Sequence, residues 1–184
     1  MKSGATAPDI LWAFNSILLQ LETATPAEQA KKAVVVFAAT STKTTLVAGR
    51  AIEPWRQIMY LIGEMAQNFE SVVVVPSGNN AKRLPPKQKE IDRFPALLSE
   101  RAAYADYPGS RQGLVVVGSV DDAGARADFS QSGDDIVWAP GAPITCLKND
   151  VGVQEEGTSF SVGMVRQIPL HSRMPMLLKL VQPA

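Results

Sequence analysis

Short runs rich in valine constrain the fold of this 184-residue chain more than any other feature. Three of them are AVVVFAA (33–39), SVVVV (71–75) and LVVVGSV (114–120), and DIVWAPG (135–141) is a fourth run of the same kind. Strands that are buried on both faces of a parallel sheet have this continuous apolar composition, whereas half-exposed strands alternate apolar and polar residues. The sequence therefore predicts a buried, mostly parallel sheet.

Two amphipathic patterns precede the first two of these runs. Apolar residues recur at helical spacing from Ile10 to Leu21, and Pro54 is placed to open a helix whose apolar stripe continues to Phe69. Such alternation of helix and strand is typical of crossover connections between parallel strands, so we predict an α/β fold. We also predict loops at 40–50, 81–94 and 142–157, a tight hairpin at 121–130, and a last helix from Ser159 that Pro169 ends.

The composition limits the classes of function. Hydrophobic residues make up 46% of the chain, enough for one domain with a buried core, and the 18 Lys and Arg residues equal the 18 Asp and Glu residues. A balanced charge provides no broad basic surface, so we expect no nucleic-acid partner. The single Cys146 and single His171 argue against a disulfide and a transition-metal site, and we expect no metal and no cofactor.

The partly apolar run near the N-terminus does not have the form of a signal peptide. Asp9 precedes it, and Asn15 and Ser16 interrupt it. No stretch of the sequence is apolar for long enough to span a membrane. We therefore expect no membrane partner, and we recognise no targeting signal in the sequence that would indicate its cellular location.

The stretch GTSFSVG (157–163) places Ser159 between small residues at the start of the predicted last helix. A serine hydroxyl becomes a nucleophile when a neighbouring base takes its proton and a third group orients that base. The Gly-x-Ser-x-Gly elbow of α/β-hydrolases is not matched, because Ser161 occupies its last position. On these residues alone, Ser159 or Thr158 could equally be a helix cap, and Asn79 a turn residue.

Taken in order, several segments resemble the C-terminal half of a subtilisin-like serine peptidase (subtilase) domain. VVVVPSGNN is similar to the strand that leads to that family's Ala-Gly-Asn turn, the stretch 107–141 to its run from Tyr-Pro to Ala-Pro-Gly, and GTSFSVGMV to its nucleophile helix. The resemblance is clearest over 71–165, weaker back to residue 9, and absent from the divergent tail 166–184. It implies a single partial domain over 1–184, with a three-layer subtilisin-like fold that is incomplete on its N-terminal side.

The resemblance also implies roles for individual residues. Ser159 would be the nucleophile, and Asn79 would donate its side-chain amide to the oxyanion, with the Ser159 N–H as second donor. A helix N-terminus favours developing negative charge, which suits these roles. The pocket for the substrate side chain before the scissile bond would be lined by Ser77, Gly78, Ala139, Pro140 and Gly141.

Other parts of the subtilase pattern have no counterpart in this chain. In subtilases the catalytic aspartate and histidine precede the asparagine and serine, yet no histidine occurs before His171, and the substrate-binding strand end aligned with 38–40 lacks its glycine. We therefore expect a serine endopeptidase family member that is inactive or weakly active alone. The alternative is a non-catalytic module that binds a peptide or protein. The expected partners are a peptide or protein substrate and a complementing N-terminal half, and the resemblance suggests an extracellular setting.

Overall fold

The structure, a computed structural model, describes residues 7–29, 33–40, 46–47, 50–51, 55–83, 90–91, 95–99, 113–133 and 135–165. The α-helices are α1 (Ala7–Thr23), α2 (Pro26–Gln29), α3 (Trp55–Phe69) and α4 (Thr158–Val165). The strands are β1 (Val34–Val36), β2 (Leu46–Val47), β3 (Arg50–Ala51), β4 (Val72–Pro76), β5 (Leu114–Val120), β6 (Ile136–Pro140), β7 (Ile144–Lys148) and β8 (Val151–Glu155). Short 3-10 turns occupy Ala81–Arg83 and Ala96–Ser99.

The valine-rich runs form one parallel sheet, with the strand order β1-β4-β5-β6. Val35 pairs with Val73, Val74 with Val115, and Val117 with Val137, and every pairing in this sheet is parallel. The valines at the centre of β4 have no exposed surface, as expected for a strand covered on both faces. The predicted α/β fold with a mostly parallel sheet is confirmed.

Helices cover the two faces of this sheet, because successive strand side chains point to opposite faces. On one face, α1 and α3 pack with Val35, Val73 and Val116 around the larger hydrophobic core. On the other face, α4 packs on Val74, Val117 and Ala139. The result is a three-layer arrangement in which α4 begins near the carboxyl ends of β4 and β6.

Helix α3 follows the predicted apolar stripe. Its fully buried side chains include Ile58, Met59 and Ile62, and each contributes about 1.5–3 kcal/mol through burial. Helix α1 is anchored in the same core by Phe14, whose ring lies 5.4 Å from the ring of Phe37, just after β1. None of the helices in the described part of the chain is both long and apolar enough to cross a membrane.

Two segments that were predicted to be loops contain short antiparallel strand pairs. Strands β7 and β8 form a hairpin within 142–157, and β2 pairs with β3 within 40–51. The turn of the β7–β8 hairpin consists of Asn149 and Asp150, with φ of 52° and 61°, and two positive φ values are what a tight two-residue hairpin turn requires. The loop prediction was wrong there, because these two residues tolerate the left-handed conformation that lets the strands pair.

The turn at 121–130 is confirmed as a tight hairpin-like turn. Val120 and Arg126 form an antiparallel bridge, and the Asp121 N–H donates to the Ala125 carbonyl at 2.9 Å. The last helix begins one residue before Ser159, at Thr158. Pro169 and His171 lie outside the described residues, as does the predicted tail 166–184.

Candidate active site

The chain leaves β4 in a turn that places Asn79 beyond the carboxyl edge of the sheet. The Ser77 N–H still donates to the Val117 carbonyl at 2.8 Å, which continues the pairing of β4 with β5. Gly78 then adopts a φ of 116°, and its Cα lies against the buried Gln131 side chain, where a Cβ would clash with Gln131 Oε1. A glycine is needed at 78 for both reasons.

Asn79 is held by the first residue of α4. The Thr158 N–H and the Thr158 hydroxyl both donate to Asn79 Oδ1 at 2.8 Å. The same hydroxyl accepts a hydrogen bond from the Gly78 N–H at 3.3 Å. Because both Thr158 donors bond to the amide oxygen, the Asn79 Nδ2 group points away from Thr158 and can donate to another group. The bond from the Thr158 N–H also satisfies one of the backbone donors that have no partner within the helix at the start of α4.

Asn79 Nδ2 and the Ser159 hydroxyl face the same small space. The position that a Cβ of Gly157 would occupy is 3.2 Å from Asn79 Nδ2 and 3.3 Å from Ser159 Oγ. Ser159 lies in the first turn of α4, where backbone N–H groups have no partner within the helix. The structure therefore brings a serine hydroxyl together with an oriented amide donor and a helix N-terminus, and the last two can stabilise an oxyanion.

The end of β6 supports this arrangement through Gly141. The Gly157 N–H donates to the Gly141 carbonyl at 3.0 Å, which fixes the segment that enters α4. The Gly141 Cα lies against Ser119 Oγ and Ser161 Oγ, two buried hydroxyls that have no hydrogen-bond partner among the described residues. There is no room for a side chain at position 141.

The residues predicted to line a substrate pocket differ from one another in burial. Ala139 is buried under α4 in the smaller core, and Pro140 is exposed. Ser77 is fully buried, and its hydroxyl lies 3.4 Å from that of Ser130. The contacts described for Ser77, Ala139 and Gly141 thus support the loop and helix that carry Asn79 and Ser159, and a direct role in lining the pocket stays a prediction.

A charged cluster that the sequence did not predict links the segment that follows Asn79 to the segment that precedes Ser159. Lys82 Nζ is 3.0 Å from both Asp128 Oδ1 and Glu156 Oε1, and 5.6 Å from the centre of the Phe129 ring. The hydrogen bond with Asp128, then that with Glu156, raises the pKa of Lys82 above its ordinary value of 10.5. Lys82 is therefore protonated at neutral pH and is not a base for Ser159.

The described residues place no imidazole or carboxylate in hydrogen-bond contact with Ser159, and His171 lies outside them. In the same described part of the chain, no three His, Cys, Asp or Glu side chains cluster to form a metal site.

A pocket of about 590 Å³ lies between the 121–129 turn and the base of the β7–β8 hairpin. Glu155 and Glu156 line it, so it ends directly beside the segment that leads to Ser159.

By sequence, neither a protein-family model nor a curated protein matches the chain. By structure it is similar to the prenylagaramide maturation protease PagA, with a TM-score of 0.56 and 20% identity over 90% of this chain and 50% of PagA. It is also similar to the protease domain of PatA, with a TM-score of 0.53 and 17% identity over 90% of this chain and 48% of the PatA domain. A cold-adapted subtilisin-like serine proteinase is similar with a TM-score of 0.54 and 14% identity over 89% of this chain and 46% of the proteinase. The chain spans about half the length of these three structures. The chain therefore has a subtilisin-like fold.

Proposed function

We propose that this chain carries the nucleophile and the oxyanion-binding part of a serine peptidase site. Ser159 attacks the carbonyl carbon of a peptide or protein substrate, and Asn79 Nδ2 together with the Ser159 N–H stabilises the resulting oxyanion. The observation that supports this best is the pair of hydrogen bonds from Thr158 to Asn79 Oδ1, which leaves the amide nitrogen beside Ser159 Oγ.

Hydrolysis by the chain alone is expected to be weak or absent. No base contacts Ser159 among the described residues, and serine peptidases that lack triad members retain only about 10³–10⁴-fold catalysis over water. Lys82 is excluded as a base, because Asp128 and Glu156 keep it protonated. Full activity would require a complementing N-terminal half that contributes the histidine and the aspartate.

A peptide or protein substrate is consistent with the surroundings of the site. The pocket of about 590 Å³ is lined in part by Glu155 and Glu156, in the segment that leads to Ser159, and in our proposal it receives part of an extended chain. PagA, one of the structurally similar proteins, is itself a maturation protease. In our proposal Ser77, Gly78 and Ala139–Gly141 form the wall for the residue before the scissile bond.

Labelling with a fluorophosphonate probe tests the proposal, because covalent modification of Ser159 can be followed without turnover, and in the absence of a contacting base the reaction is expected to be slow. We expect slow labelling at Ser159, its loss in Ser159→Ala, and labelling on the order of 10²–10³ slower in Asn79→Ala. Ser161→Ala is the matched control, since this serine is buried two residues away and should leave the labelling rate unchanged. Labelling that survives Ser159→Ala would refute the assignment of the nucleophile.

A non-catalytic peptide-binding module is the second candidate, and the lack of a base beside Ser159 among the described residues favours it. In that case the pocket between the 121–129 turn and the β7–β8 hairpin would bind part of a peptide without cleaving it. Titration calorimetry with a panel of peptides would then show stoichiometric binding that Ser159→Ala does not weaken. Cleavage of a bound peptide would contradict this candidate and support the first.

A further inference from the structure

Gln131 is a fully buried polar residue that contacts the turn carrying Asn79. None of its surface is exposed, and its side chain is among the largest fully buried ones in the described structure. Glutamine is mostly found at protein surfaces, because taking an amide out of water costs free energy unless hydrogen bonds replace the lost water. The burial of Gln131 therefore depends on the contacts that it makes with its neighbours.

The side chain of Gln131 connects two other segments of the chain. Its Nε2 donates to the Glu90 carbonyl at 2.7 Å, and its Oε1 lies against the Gly78 Cα. The segment of Glu90 is itself fixed, because the Ile91 N–H donates to the Ser132 carbonyl at 2.9 Å. The hydrogen bond to Glu90 therefore holds the amide group of Gln131 in place against the turn at Gly78.

The backbone around Gln131 is hydrogen-bonded to the same turn. The Gln131 N–H donates to the Gly78 carbonyl at 3.0 Å, and the Ala81 N–H donates to the Phe129 carbonyl at 3.0 Å. The Gly78 carbonyl belongs to the planar peptide unit that leads into Asn79. Fixing the direction of this carbonyl therefore fixes the position from which the Asn79 side chain extends.

We propose that Gln131 is a positioning residue for the oxyanion-binding amide of Asn79, an inference that rests on the proposed function. Thr158 orients the side chain of Asn79 from α4, whereas Gln131 fixes the backbone of the turn at Gly78. A donor stabilises an oxyanion only within narrow limits of distance and direction, so the residues that hold it contribute to its effect. Gln131 acts through Asn79 and does not itself contact the substrate.

Fluorophosphonate labelling of Ser159 tests this role in a double-mutant cycle with Asn79→Ala. Gln131→Met keeps an unbranched side chain of similar volume and removes the hydrogen bond to Glu90. We expect it to slow the labelling about tenfold, which is part of the loss on the order of 10²–10³ expected when the Asn79 amide is removed. In the Asn79→Ala background, Gln131→Met should change the labelling rate by less than about twofold, because no amide is left to position.

Ile62→Val is the matched control for a loss of stability. Ile62 is fully buried in the larger core, on the other face of the sheet from α4. Its substitution should lower the melting temperature and leave the labelling rate of Ser159 unchanged. If Gln131 had only a structural role, Gln131→Met would slow labelling by the same factor with and without the Asn79 amide.

Amide hydrogen exchange provides a second measurement that needs no reaction at Ser159. The Thr158 N–H is protected by its hydrogen bond to Asn79 Oδ1, so a loosened turn exposes this N–H to exchange. We expect Gln131→Met to accelerate exchange at Thr158 at least about fivefold more than at the amides of β5, which report the stability of the sheet. Ile62→Val should show no such excess at Thr158.

Three outcomes would overturn the proposal. They are labelling of Gln131→Met at the wild-type rate, equal slowing in both backgrounds of the cycle, or no excess exchange at Thr158. Failure of the proposed function has a different signature, namely labelling that survives Ser159→Ala. If Ser159 is not labelled at all, hydrogen exchange at Thr158 alone decides whether Gln131 positions Asn79.

Discussion

Replacing Thr158 by valine separates the hydroxyl of this residue from its packing. Thr158 is buried, with 1% of its surface exposed, and its hydroxyl donates to Asn79 Oδ1 at 2.8 Å and accepts from the Gly78 N–H at 3.3 Å. Valine has nearly the same shape, so the change leaves no cavity. It removes one hydrogen bond and leaves the buried Gly78 N–H without its acceptor, for a combined loss of about 2 kcal/mol in the free energy of unfolding.

Urea denaturation followed by circular dichroism measures this loss, and probe labelling of Ser159 measures its effect on the site. We expect Thr158→Val to unfold at lower urea and to be labelled more slowly than wild type, because Asn79 keeps only the Thr158 N–H to orient it. Thr158→Ser is the matched control, since it keeps the hydroxyl and loses a methyl group worth about 0.8 kcal/mol. If the free energies of unfolding of Thr158→Val and wild type differ by less than about 0.5 kcal/mol and Ser159 is labelled at the same rate in both, Thr158 does not orient Asn79.

Three further predictions concern the support of the site. Gly141→Ala should destabilise the fold by about 1–3 kcal/mol, because its Cβ would overlap two hydroxyls, and adding Ser119→Ala/Ser161→Ala should recover part of the loss in thermal melts. Ser161→Ala alone should not lower the melting temperature, since the deleted hydroxyl is buried without a partner in the described structure. The raised pKa of Lys82 means that, from neutral pH upward, its ion pairs stabilise the fold until about pH 10.5 and that this contribution is lost as pH rises through the higher folded-state pKa. On raising the pH from neutrality, wild type should therefore lose stability relative to Lys82→Met only above about that pH, and a difference lost near neutrality would contradict the assignment.

The strands of the main sheet and the stripe of α3 could be predicted because their signals are local. Runs such as SVVVV and the spacing of Ile58, Ile62 and Met65 depend on residues within one element. The hairpin from Ile144 to Glu155 was missed for a local reason as well. Its Asn149–Asp150 turn tolerates positive φ, but it is not the Asn-Gly or Asp-Gly pair that signals a hairpin most strongly.

Ser159 and Asn79 were predicted as candidates through a resemblance, and the structure shows how near each other they lie. The role of Thr158 in orienting Asn79 was not predicted, because the two residues are 79 positions apart and no sequence motif or periodicity links them. Lys82 was predicted only to lie in the loop 81–94, and its partner Glu156 is 74 positions away. Ion pairs between distant residues leave no periodic signal.

By itself, the sequence determined that this chain forms an α/β fold with a buried parallel sheet, because apolar periodicity reports the burial of each element. Only the tertiary structure decided which of its many hydroxyl, amide and charged side chains meet. Parallel strands end at a common edge, so the turn after β4 and the end of β6 come to the start of α4 from distant parts of the chain. The orientation of Asn79 beside Ser159 is a consequence of that meeting.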